Sequence, residues 1–172
     1  MGAEAAIVGL IGAVIGIALT NGFAMLLEIK RRERRGMDLV YAIHAEIAAG
    51  LGANQKQLTA EEKAYALADQ TPFQTPDDTD FVFASIKNDI SLLPTQVIHS
   101  VVQYYRFALQ TNLMISDLRH PAFEKQGPAE KQKFVASILD VADQQRLAGI
   151  EALEDLERFA ASRGVAIIKK QN

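Results

Sequence analysis

Three histidines, His44, His99 and His120, are the only imidazoles in a 172-residue chain that contains no cysteine. Metal or nucleophile chemistry has to start from them or from the carboxylates. A di-iron bundle site needs Glu-x-x-His on two helices, and no Glu stands three residues before any of these histidines. They fall on three separate segments. No zinc spacing, glycine-rich phosphate loop or nucleophile elbow occurs. His99 is expected to be a partly buried bundle residue, and His120 to end a helix, where an imidazolium suits the dipole. The acids Glu151, Glu154, Asp155 and Glu157 read as a solvated helix face, because acid–base catalysis needs carboxylates in a cleft with separated environments. Tyr104, Tyr105 and Arg106 are the remaining chemically interesting cluster. Tyr105 belongs to an apolar stripe, which leaves Tyr104 and Arg106 for a surface contact with a partner. The sequence therefore predicts no catalytic, cofactor-binding or metal-ligating residue, and a chain that is not an enzyme.

The absence of cysteine excludes disulfides, thiolate catalysis and sulfur-ligated metal, and fits a reducing compartment. Charge is unevenly placed. Of the 18 Lys and Arg, five (Lys30, Arg31, Arg32, Arg34, Arg35) follow directly on an apolar stretch, while of the 21 acids only Glu4, Glu28 and Glu33 precede Gly36. Removing both sets leaves 13 basic against 18 acidic residues, a balance of minus 5. Nucleic acid is not an expected partner of such a domain, since backbone binding needs a basic face that releases counterions.

The elements that position these residues divide at the same place. Ala5 to Leu27 carries no charge over 23 residues. As a helix it is roughly 34 Å long, against a hydrocarbon core of ~30 Å. A cleavable leader would place its positive charge before the apolar run, and here the order is reversed. The positive-inside rule then puts residues 1–4 outside, 5–27 across the inner (plasma) membrane once, and the C-terminal side in the cytoplasm. Residues 28–36 form a basic juxtamembrane segment in which Lys30, Arg31, Arg32, Arg34 and Arg35 meet lipid headgroups, at about 1 kcal/mol each near anionic lipid. Gly9, Gly12, Ala13 and Gly16 cluster on the helix surface, with a GxxxG between Gly12 and Gly16. Small side chains allow another transmembrane helix, from a second copy or another protein, to approach closely.

Residues 37–172 are expected to form a cytoplasmic helical bundle. Val40, Ile43, Ile47 and Leu51 recur at helical spacing, in a helix that either continues the span through Gly36 or bends there. Thr59 with Glu62 fits a capping box for a short helix to Asp69, and residues 70–80 read as a loop. Phe83, Ile86, Ile90 and Leu93 predict a helix over 81–93 that Pro94 ends. Pro94 then opens a helix to about Leu118, with a stripe of Ile98, Val101, Tyr105, Leu109 and Leu113. A last helix, Ala129 to Ala161, has a seam of Leu139, Ala142, Arg146, Ile150, Leu153 and Leu156, with a bend expected at Gly149. No strand pattern competes. The fold class is all-α: one N-terminal transmembrane helix followed by an antiparallel helical bundle.

Over residues 81–108, FVFASIKNDISLLPTQVIHSVVQYYRFA, the chain resembles a loose class of uncharacterised bacterial single-span membrane proteins with a cytoplasmic helical domain. The matching residues are Ile90, Leu92, Leu93, Pro94, Tyr104 and Tyr105. The resemblance implies the layout and no activity. Together these readings predict a membrane-tethered, non-enzymatic interaction or accessory protein, whose span packs with another helix and whose bundle docks a cytoplasmic protein or a second copy. The alternative is a small ligand sensor or enzyme with a pocket in the bundle.

Overall fold

The computed structural model describes residues 2–54 and 81–167, with side chains described over 20–52 and, apart from 81, 82 and 86, over 83–167. All regular structure among these residues is helical. Helix α1 spans Gly2–Asn54 and is helical through Gly36 and Gly50. Then come α2 (Phe81–Ile86), a 3-10 turn (Ile90–Leu92), α3 (Thr95–Asp117), the short α4 (Pro121–Glu124) and α5 (Pro128–Ser162). The chain divides into two compact units, Met1–Asp38 and Leu39–Asn172. The expected helix from Thr59 and the loop over 70–80 lie outside the described residues.

The expected single helix over 81–93 is instead broken into α2 and the 3-10 turn. Asn88 and Asp89 favour turns over helix interiors, because their short side chains offer the backbone local hydrogen bonds. Leu93 is extended (φ −92°, ψ 155°), as the residue before a proline tends to be, and it is buried. Pro94 is the N-cap of α3 rather than its first turn. At the start of α5, Pro128 stands in the first turn and the Glu130 carboxylate accepts from the Gly127 N–H at 3.3 Å. Its far end closes by a Schellman motif: Gly164 takes φ +73°, and Val165 and Gly164 donate to the Ala160 and Ala161 carbonyls at 3.0 Å.

The second unit is built on three long segments. His44 lies against Glu157 and Leu51 against Gly149, so residue numbers rise along α1 as they fall along α5. Gln96 meets Asp155 and Tyr104 meets Gly149, so α3 is likewise antiparallel to α5. The end of α1 and α3 therefore run in the same direction, each packed on α5. Val40, Ile43, Ile47 and Leu51 are all buried as their spacing predicts, joined by Leu39.

The other two helices present faces that overlap the expected ones only in part, at Val101, Tyr105 and Leu156. On α3 the core takes Val97, Ser100, Val101, Tyr104, Tyr105, Ala108 and Thr111, while Leu109 and Leu113 are each 58% exposed. On α5 it takes Val135, Ile138, Val141, Gln145, Ala148, Gly149, Ala152, Asp155, Leu156 and Ala160. Of the expected seam only Leu156 is buried; Ile150 is exposed and the remainder are intermediate. Gly149 does not break the helix. Around Tyr104 the neighbouring positions are small, Gly50 on α1 and Ala148, Gly149 and Ala152 on α5, so size alone does not mark the inner face there.

Among the described residues, no helix is long and apolar enough to cross a membrane. Of the expected span, residues 5–19 fall outside those whose side chains are described. The surroundings of Gly9, Gly12, Ala13 and Gly16 therefore also lie outside the described residues, although the backbone there is helical. From Thr20 to Arg35 every side chain is exposed, including Phe23 at 66% and Met25 at 68%.

Candidate functional site

Tyr104 is the centre of the bundle's polar interior. Expected at the surface, it is 1% exposed, and its ring fits between two glycines of neighbouring helices. A methyl built on Gly50 of α1 would come within 2.6 Å of the Tyr104 Oη, and one on Gly149 of α5 within 3.0 Å of Tyr104 Cδ2 and Leu51 Cδ2. A Cβ at Gly50 would force the Tyr104 hydroxyl to move, and one at Gly149 would need its neighbours to give by a few tenths of an ångström. Burial pushes the Tyr104 hydroxyl above the ordinary tyrosine range; its hydrogen bond with Gln145 pulls the other way, and the Glu46 charge adds to the rise. Tyr105 stands edge-on to Tyr104 at 5.1 Å between centroids and stacks on Phe83 of α2 at 4.1 Å.

Glu46 on α1 gathers the neighbouring donors. The Tyr105 hydroxyl donates to its Oε2 and so does the Phe83 N–H, at 3.2 Å. One carboxylate thus ties α2 and α3 to α1. Two buried hydroxyls are bonded within α3, whereas the buried Arg146 Nε has no hydrogen-bond partner among the described residues. Ser100 Oγ donates to the Val97 carbonyl at 3.2 Å and Thr111 Oγ1 to the Phe107 carbonyl at 2.9 Å. The Glu46 contacts join helices, while the Ser100 and Thr111 bonds close within α3.

The acids of α5 are only partly a solvated face. Glu151 and Glu154 are exposed, but Asp155 is 6% exposed and accepts from Arg158 Nη1 at 2.6 Å and from Gln96 Nε2 at 3.3 Å. Glu157 lies 3.4 Å from His44 Nε2 in a half-buried pair between α5 and α1. His99, expected to be partly buried, is exposed, and His120 caps α4: its Nδ1 accepts from the Ala122 N–H at 3.2 Å. Among the described residues, no group of three or more His, Asp or Glu is placed to hold a metal ion.

Two surface features remain. The basic collar Lys30, Arg31, Arg32, Arg34 and Arg35 is exposed, and Arg35 is joined to Glu28 of the same helix at 3.4 Å. On the face of α3 turned away from the core, a groove of about 670 Å³ is lined, among the described residues, from that helix alone. Arg106 lies in it, exposed as expected, together with His99 and Gln103 and the apolar Ile98, Val102 and Phe107. The structure thus separates the expected pair: Arg106 faces outward and Tyr104 inward. The signal that could have separated them is the pair of helical glycines, Gly50 and Gly149, whose missing side chains make room for one large ring.

No family model, curated protein or solved structure matches this chain.

Proposed function

We propose that this chain is a membrane-tethered, non-enzymatic interaction or accessory protein. Residues 5–27 cross the plasma membrane once with the N-terminus outside. Gly9, Gly12, Ala13 and Gly16 pack against another transmembrane helix, and the bundle docks a cytoplasmic protein or a second copy. The reading rests on the axial order of apolar and basic residues. Successive helix positions turn by about 100°, so the five cations within residues 30–35 cover an arc of roughly 200° of the helix. The apolar Phe23, Met25, Leu26, Leu27 and Ile29 all precede them along the axis. A helix lying flat in a headgroup layer carries cations and apolar groups interleaved along its whole length. Here the two are separated along the axis, as at the inner end of a span. The exposed apolar side chains between residues 23 and 29 gain a cover from acyl chains under the same reading.

Alkaline carbonate extraction of native membranes, followed by protease treatment of intact spheroplasts, tests this. The full chain is expected to stay in the pellet with its C-terminal part protected, and cross-linking to recover it with a helix partner. Release into the carbonate wash, or digestion from outside, sinks the topology. Recovery solely as a monomer sinks the packing role.

A further inference from the structure

We propose that the segment following α5, Val165 to Lys170, is a second membrane contact, its apolar residues entering the inner-leaflet interface and its lysines meeting the headgroups of anionic lipid. The proposal rests on the single-span reading and adds an attachment point to it. Behind it lies the register of α1 on α5. Glu157 stands beside His44 at 3.4 Å, and Gly149 beside Leu51, so each step forward along α1 is matched by about one step back along α5. Five positions back from His44 is Leu39, where the second unit begins, and five on from Glu157 is Ser162, the last residue of α5. α5 therefore ends at the same end of the second unit by which the chain enters it.

Connectivity limits how far that end can be from the bilayer. Four residue steps separate Arg35 of the collar from Leu39, and even a fully extended chain covers only about 14 Å in four steps. From Ser162 to Lys169 there are seven steps, a reach of up to about 25 Å. Lys169 and Lys170 can thus reach headgroups near the collar whatever the angle between the two units. The Schellman turn at Gly164 stops α5, and beyond it Ala166 is exposed and Val165 and Ile167 are only half-buried.

Charge points to the lipid. After Gly36 the sequence has 13 basic and 18 acidic residues, and four of the basic ones, Arg158, Arg163, Lys169 and Lys170, fall within residues 158–172, where there is no acid. The rest of the unit holds nine basic residues against 18 acids. An anionic leaflet attracts this end and repels the remainder. Beside the lysines, Val165, Ala166, Ile167 and Ile168 form an uninterrupted apolar run. A short apolar run next to cations suits the headgroup boundary, although such a signal is weak by itself. Tethering within reach of the surface supplies the missing affinity as a high effective concentration.

The chain contains no cysteine, so single-cysteine variants take one spin label each. The full chain carrying a label at Ala166→Cys is placed in nanodiscs of phosphatidylcholine, alone or mixed with phosphatidylglycerol. Relaxation by oxygen, which concentrates in lipid, is compared with relaxation by a water-soluble nickel chelate. In the anionic discs the label is expected to respond to oxygen, and in the neutral discs to the chelate. Lys169→Gln with Lys170→Gln is expected to lower the ratio of lipid-bound to water-exposed segment about thirtyfold. Ile167→Ser with Ile168→Ser is expected to abolish the oxygen response with both lysines still present. Equal chelate access in the two lipids overturns the proposal, as does a lysine variant that behaves like the parent. So does a label shielded from both reagents, which would show the segment seated on the bundle. A second label, at Ala24→Cys, separates these results from the topology: oxygen access there in both lipids upholds the span, and chelate access there sinks the single-span reading together with this proposal.

Discussion

At the scale of single residues, Tyr104 links the polar interior to the stability of the bundle. Its hydroxyl is shielded from water and faces the Glu46 charge, so the folded state holds the proton more tightly than the unfolded chain does. With the folded pKa raised above the usual 10.0, both states are protonated below that pH and the group has no effect on stability there. Above it the unfolded chain ionises first, and stability falls as pH rises, by up to about 1.4 kcal/mol per pH unit until the folded group also ionises. Urea denaturation of the full chain between pH 8 and 11 should show a plateau followed by this decline. Tyr104→Phe should flatten the decline while losing about 1 kcal/mol at neutral pH, the hydrogen bond with Gln145. An unchanged alkaline slope in the variant would show that another group is responsible.

At the scale of elements, the crossing of α1, α3 and α5 is governed by what is missing from Gly50 and Gly149. Alanine ordinarily favours a helix over glycine by about 1 kcal/mol, and at Gly52, where nothing lies within 4 Å, Gly52→Ala should raise stability by up to that amount. Gly50→Ala should instead lower it by about 1–3 kcal/mol, since the new methyl meets the Tyr104 hydroxyl. The clash is with the hydroxyl oxygen, so the same change made in the Tyr104→Phe background should cost markedly less. A double-mutant cycle on urea midpoints measures that coupling, and strict additivity would place the strain elsewhere.

This crossing is also where the sequence was least legible. Val40, Ile43, Ile47 and Leu51 follow hydropathy because α1 has enough large aliphatics on one side to mark its inner face. On α3 and α5 the large aliphatics Leu109, Leu113, Leu147 and Ile150 point outward, and the inner face mixes Val97, Val101, Ile138 and Leu156 with Ala, Gly, Ser and Gln. A reading weighted by side-chain size places Val101, Tyr105 and Leu156 inside, as found, and wrongly adds Leu109, Leu113 and Ile150 to them. Helix ends were clearer where a proline or glycine stood, as at Pro128 and Gly164, and less so across Lys87–Asp89, whose turn preference was outweighed by apolar spacing. The exposure of Arg106 was legible from its type; the burial of its neighbour Tyr104 depended on residues far away in the chain.

At the scale of the whole molecule, orientation follows from where the positive charge sits. Under the proposed topology the collar holds the larger unit on the cytoplasmic side. Replacing Lys30, Arg31, Arg32, Arg34 and Arg35 by Gln, and adding three lysines beside Glu4, should turn the chain around in a substantial fraction of molecules. A C-terminal alkaline phosphatase fusion, active only outside the cytoplasm, reads the result directly. Inactivity of that fusion would show that the charges do not set the orientation.

The pairing of α1 with α5 has a consequence for how the protein is made. His44 and Glu157 are 113 residues apart in the chain, so at about 5–20 residues per second the ribosome needs roughly 6–20 s to supply α5 after α1. Throughout that interval Val40, Ile43, Ile47 and Leu51 emerge without the helix that later covers them. Nascent chains stalled before Pro128 should therefore recruit holding chaperones, and release from them should coincide with the emergence of the final helix.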